Sequence, residues 1–238
     1  MKKGNSVVAG LIAVAFLFGA QTVFAAPGDG AYVGVFAGQG MSQVSGKTTT
    51  LAKNTHHQAG TFELAEGGLS MDGIQFGGLL GFGLRMGSLY AGIEGEYVGS
   101  EEEFELKSST TVELEEGRTI TSIKASKNWS AGPAVRLGFY ANESTLFALR
   151  VGFVATEFEV DAGYAKSTYT GGGMRYGGSL ETAVSGDLSL RMEYVVTDYV
   201  RVPVSGIGSD VIDNDNSDAD SEITGLDAAG RVAIVYTF

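Results

Sequence analysis

No cysteine occurs anywhere in the 238 residues, which removes disulfides, thiolate metal sites and thiol nucleophiles together. Histidine is almost missing too. His56 and His57 are the whole supply, adjacent and followed by Gln58 and Ala59, so no other part of the chain can offer an imidazole base or ligand. Three prolines stand against 36 glycines, a ratio that suits a tightly curved sheet better than a helical bundle. Long apolar runs are absent as well: the stretch from Val7 to Gly19 is too short to cross a bilayer as a helix, and nothing later approaches that length.

That short run follows Lys2 and Lys3 and precedes Val23-Phe24-Ala25, the layout of a secretory signal peptide cleaved after Ala25. The expected division is therefore a signal peptide over residues 1–25 and one domain over 26–238. Positive charge is scarce in that domain. Without Lys2 and Lys3, 14 of the 16 basic side chains remain against 28 acidic ones, a net charge of −14 that disfavours nucleic acid as a partner.

What is present is alternation, and it is clearest at the end of the chain. Leu226, Ala228, Gly230, Val232, Ile234, Tyr236 and Phe238 share one side, while Asp227, Ala229, Arg231, Ala233, Val235 and Thr237 share the other. Period two means a strand. A strand that ends on a bare apolar Phe finds its natural solvent in lipid. The same pattern recurs in seven earlier segments: Gly30 to Gly38, Ile74 to Met86, Leu89 to Tyr97, Asn128 to Tyr140, Phe147 to Ala155, Gly171 to Val184 and Leu188 to Val196. Within these, Ile74, Phe76, Leu80, Phe82 and Leu84 oppose Gln75 and Arg85, and Leu89, Ile93 and Tyr97 oppose Tyr90, Glu94 and Glu96. Pro133 is the weak point of the fourth segment, because it brings no N–H to a ladder.

Gly87-Ser88, the stretch Ala141 to Ser144, and Ser185-Gly186-Asp187 make short turns. The other connections, near residues 40–73, 99–127, 157–170 and 199–223, read as long polar loops. Short turns at one rim and long loops at the other predict an all-β fold, an eight-stranded antiparallel up-and-down transmembrane barrel with extracellular loops and both termini in the periplasm. The segments and their spacing resemble the outer-membrane barrels typified by the OmpA transmembrane domain, OmpX and the Opa adhesins. Nothing after Phe238 corresponds to a peptidoglycan-binding domain. The resemblance implies a place in the outer membrane, adhesion or envelope integrity as the field of function, and, through Ile234, Tyr236 and Phe238, a terminal signal read by the barrel-assembly machinery.

Charge on the inward sides is the pattern closest to chemistry. Arg85, Arg136, Arg150, Arg175, Arg191 and Arg231 face Glu94, Glu96, Glu181, Glu193 and Asp227, while every lysine of the mature chain is expected in a loop. Eight strands enclose a space just wide enough for side chains, and guanidinium forks can satisfy several carboxylates there, so a plugged lumen of ion pairs is expected. Asp210, Asp213, Asp215, Asp218, Asp220 and Glu222 make the fourth loop acidic, and Glu101, Glu102 and Glu103 with Glu113, Glu115 and Glu116 do the same for the second. The fourth loop fails the calcium-hand template, since Asp218 stands where the turn glycine belongs and Thr224 where the bidentate Glu belongs. These loops are candidates for a host or surface ligand, or for lipopolysaccharide phosphates bridged by divalent ions.

No cofactor, resident metal or catalytic residue is expected. The lipid A deacylases and palmitoyltransferases built on small barrels need a histidine with a serine and an acid, and neither the deacylase His-x-Ser pattern nor the palmitoyltransferase leading helix is present. The expectation is a monomeric structural or surface-interaction protein in contact with outer-membrane lipid. A narrow porin-like channel is the alternative, and a lipid-modifying enzyme comes third.

Overall fold

The computed structural model describes residues 26–50, 60–114, 118–161, 166–204 and 219–238. The expected signal peptide, His56 and His57 lie outside the described residues. Eight strands follow in order: β1 Gly30–Thr50, β2 Gly60–Met86, β3 Leu89–Leu114, β4 Arg118–Asn142, β5 Thr145–Asp161, β6 Lys166–Ser185, β7 Leu188–Val204 and β8 Ala219–Thr237. Each pairs antiparallel with its neighbours in sequence, and β8 returns to β1, closing a barrel. Closure leaves no edge strand to be satisfied elsewhere, the condition for a sheet to cross lipid.

Register makes the alternation three-dimensional. Along β8 the buried residues are Asp227, Ala229, Arg231, Ala233, Val235 and Thr237, and the exposed ones include Leu226, Val232, Ile234, Tyr236 and Phe238. The other strands match: Leu80, Ile93, Leu137, Leu149 and Phe153 are each at least 60% exposed, while Arg136, Lys127, Glu181 and Glu102 are at 0%. A water-soluble barrel would invert this arrangement. Here the apolar side chains face out and the charged ones face in, the distribution for which hydrocarbon is the solvent.

Inward glycines provide room for the large inward side chains. A Cβ at Gly81 would fall 2.3 Å from the Tyr32 ring, and one at Gly40 would strike the Glu102 carboxylate. Two of the turns at one rim use glycine for its conformational freedom, Gly87 at φ 65° and Gly186 at φ 50°. At this turn-side rim the described chain also begins. Pro27 and Gly28 are buried in the mouth, where the Tyr140 hydroxyl donates to the Pro27 carbonyl at 2.8 Å and Ala26 packs on Tyr90, Tyr140, Leu146 and Ala148.

The connections at the opposite rim differ from expectation. The strands run far into the stretches read as loops, so that β3 and β4 are separated only by residues 115–117 and β5 and β6 only by 162–165. With 27 residues in β2 and 26 in β3, these strands far exceed the roughly 9–11 residues a tilted strand needs to cross hydrocarbon. Beyond the bilayer neither face must be apolar, so the alternation signal vanishes while β-branched threonines such as Thr48, Thr49, Thr110 and Thr111 remain suited to a sheet. Pro133 behaves as its chemistry dictates: the register with β3 passes through it to Gly95, whereas Gly132 and Pro133 have no ladder partner on β5.

A charged lumen as the candidate functional site

The site is built where alternation forces inward side chains of all strands to meet. Six cations, Lys127, Arg136, Arg150, Arg175, Arg191 and Arg231, and six carboxylates, Glu94, Glu96, Glu102, Glu181, Glu193 and Asp227, are buried in the barrel interior. They lie in three levels along the axis.

Nearest the turns, Glu181 accepts from Arg191 Nε at 2.8 Å, from Arg136 Nη2 at 3.3 Å and from the Ser189 hydroxyl at 2.6 Å. Glu94 accepts from Arg191 Nη1 at 2.6 Å and from the Tyr32 hydroxyl at 3.1 Å. The guanidinium of Arg136 lies over the Tyr90 ring and that of Arg191 over Tyr32, at 5.5 and 5.4 Å from the centroids. These contacts use the flat cationic face that lysine lacks.

At mid-barrel Glu96 is the hub. Its Oε2 accepts from Arg150 and Arg231, each at 2.9 Å, and its Oε1 accepts from Arg175 at 2.7 Å. Arg150 also reaches Glu193 at 3.3 Å and Glu94 at 3.6 Å, tying this level to the one below. Arg175 is held further by the Thr197 and Ser130 hydroxyls, which accept from Nε and Nη2 at 2.7 and 3.0 Å.

Of the third level only Asp227 was expected. Lys127 of β4 is fully buried between Glu102 and Asp227, donating to both, and Glu102 is further held by Ser42 at 2.7 Å and by Gln75. Arg175 Nη2 lies 3.9 Å from Asp227 and links this level to the middle one. The expectation that every lysine falls in a loop is therefore wrong, as is the assignment of Glu102 to a loop. Glu102 keeps the even parity of Glu94 and Glu96 and was recoverable from the sequence once β3 is allowed to continue. Lys127 was not recoverable, because register shifts between Lys127 and Trp129 and between Gly99 and Glu102 move its parity relative to Arg136.

Arg85 is the expected lumen residue that stands apart. It sits at the turn-side rim, where its Nε donates to the Gly87 carbonyl at 3.0 Å and its guanidinium lies 4.6 Å from the Tyr140 ring centroid. Its strand ends one residue later, so its side chain has the rim rather than the carboxylate levels within reach. Ile234, Tyr236 and Phe238 are all exposed on the outward side of β8, with the Tyr236 and Phe238 rings 5.1 Å apart, edge to face. Asp210, Asp213, Asp215 and Asp218 lie outside the described residues. Asp220 and Glu222, expected in that loop, belong to β8, opposite Thr49 and Lys47 of β1.

Chemically, no described lumen carboxylate stands alone, since each is held by at least one cation. The arrangement cross-links strands distant in sequence, as Arg231 of β8 to Glu96 of β3. Several buried donors, among them Arg136 Nε, Arg191 Nη2 and Arg231 Nη2, have no acceptor among the described residues. Such groups are usually satisfied by internal water.

An apolar belt around a charge-paired interior admits one reading of the environment. The chain is an eight-stranded transmembrane β-barrel. No family model matches the sequence, and no curated protein matches it. Among solved structures, the outer membrane protease OmpT of Escherichia coli aligns over 92% of this chain and 100% of its own, at 11% identity and a TM-score of 0.49. Neisserial surface protein A covers 88% and 98%, at 14% identity and a TM-score of 0.44. Ail, the attachment invasion locus protein of Yersinia pestis, solved with the heparin analogue sucrose octasulfate, covers 85% and 99%, at 11% identity and 0.36. Likeness at these values does not extend to activity or ligand.

Proposed function

We propose that this barrel is a non-enzymatic, non-conducting protein of the Gram-negative outer membrane, with both termini in the periplasm, that acts through the surface it presents outside the cell. The observation that supports this reading is the lumen network: six cations and six carboxylates joined across strands from β3 to β8 occupy the route a solute would take. Work is then left to the outer rim, where the chain carries its acidic connections. Adhesion to a host or surface ligand and maintenance of the envelope are the two roles that fit, with lipopolysaccharide and divalent ions as available partners for the acidic side chains.

The test changes the rim and leaves the lumen and the outward belt alone. Cells displaying the protein with Asp213, Asp215, Asp218 and Asp220 replaced by Asn are compared with wild type for adherence to host-cell matrix and for resistance to bile salts. The expected result is a folded, heat-modifiable barrel with weaker adherence or resistance, the wild-type effect declining as salt screens it. Unchanged behaviour in both assays would reduce these residues to solubilising charges.

A further inference from the structure

The outward belt is not convex everywhere. On the side formed by β1 to β5, two adjoining hollows of about 590 and 660 Å³ share Leu80 and Gly95. Register places Leu80, Gly95 and Pro133 in one row across three strands, so glycine occupies the centre with larger side chains on either side. A Cβ at Gly95 would meet nothing within 4 Å. The floor is therefore low because a side chain is missing, not because another group covers it. Phe82, Ile93, Val135, Val151 and Phe153 wall the hollow on the turn side, and Val33 and Tyr97 border the other. Glu94 and Glu96 also border the hollows, but their carboxylates are buried in the lumen, leaving the outward walls apolar.

We infer that this groove is a binding site for one acyl chain of a lipid in the loop-side leaflet, for which phosphatidylcholine serves as the probe. It opens within the surface that already contacts hydrocarbon, so the occupant must be drawn from that phase. The stacked Tyr97 and Trp129 rings, 6.2 Å between centroids, mark the loop-side end of the groove, where aromatic side chains settle at the headgroup level. A chain descending from that level passes Tyr97 and enters the groove directly. Once there it meets side chains on its flanks and backbone beneath, giving dispersion contact on several sides instead of the one that a convex barrel offers. The lining offers no exposed charged side chain to orient a protein partner, while a methylene chain needs none.

The whole protein, purified in detergent with phosphatidylcholine, is analysed by native mass spectrometry, and in phosphatidylcholine vesicles by electron spin resonance of a chain-labelled phosphatidylcholine. Gly95→Leu fills the floor, Gly95→Ala fills part of it, and Gly178→Leu places the same side chain elsewhere on the belt. Heat-modifiable migration reports folding of each variant. The expected result is one retained phospholipid in wild type and Gly178→Leu, matched by one more motionally restricted label per barrel than Gly95→Leu shows, with Gly95→Ala between them. Equal retention in folded wild type and Gly95→Leu overturns the site. So does a wild-type dimer that Gly95→Leu abolishes, which would give the groove to a second copy of the chain.

Discussion

Lys127 shows how much a single buried charge holds in place. Its ammonium sits between Glu102 and Asp227, and the strands carrying those carboxylates do not neighbour each other. Lys127→Met leaves two buried carboxylates facing each other without their cation, and breaking a buried pair in this way costs on the order of 3–5 kcal/mol. Glu102→Gln should cost less, because Asp227 still holds the ammonium and the amide oxygen can still accept from Ser42 or Gln75. Urea titrations of the refolded barrel check the order. Equal losses for the two variants would mean that Lys127 is not the centre of the cluster. The outward side obeys a different rule: Ile234, 57% exposed to the membrane phase, should lose about 2–4 kcal/mol as Ile234→Arg if it lies near the midplane. The same titration with Phe238→Arg, nearer the interface, should show a smaller loss.

At the scale of the strand, β8 combines two roles that separate experimentally. In the folded barrel Phe238 contributes one backbone bond, from its N–H to the Ala31 carbonyl at 2.9 Å, and a ring contact with Tyr236, while its own side chain is 75% exposed. Little native stability rests on it. Deleting Phe238 should therefore leave refolding into detergent nearly intact but reduce the amount inserted in the membranes of living cells, as measured by surface labelling. Equal yields in cells would remove the terminal residue from any role in assembly. The strands also show what the sequence disclosed and what it hid. Where lipid covers one face, as from Ile74 to Met86, alternation named the inward and outward residues correctly. Above the membrane the constraint is lifted, so Gly60 to Gly73 of β2 and Ser100 to Leu114 of β3 carried no pattern and read as loop. Parity arguments failed only where a register shift intervened, and Lys127 lies at such a place.

For the molecule as a whole, connectivity of the ion pairs matters more than any one of them. Arg150 joins the two lower levels and Arg175 the two upper ones, making a continuous ladder from Glu181 near the turns to Glu102 toward the opposite rim. An ion crossing the lumen would have to part these pairs in succession. The wild-type protein should give only rare, small openings in planar bilayers, and Arg150→Ala should make them more frequent by removing a rung shared by Glu94, Glu96 and Glu193. A steady, large current from wild type would instead make the barrel a pore.

The seating of Pro27 and Gly28 inside the turn-side mouth bears on how the protein can be handled. Ala26 packs on Tyr90 and Tyr140, and the Tyr140 hydroxyl holds the Pro27 carbonyl, so a tag fused directly ahead of Ala26 should strain this seating. An affinity tag at that end competes with Pro27 for the mouth, and one beyond Phe238 interferes with the end of β8.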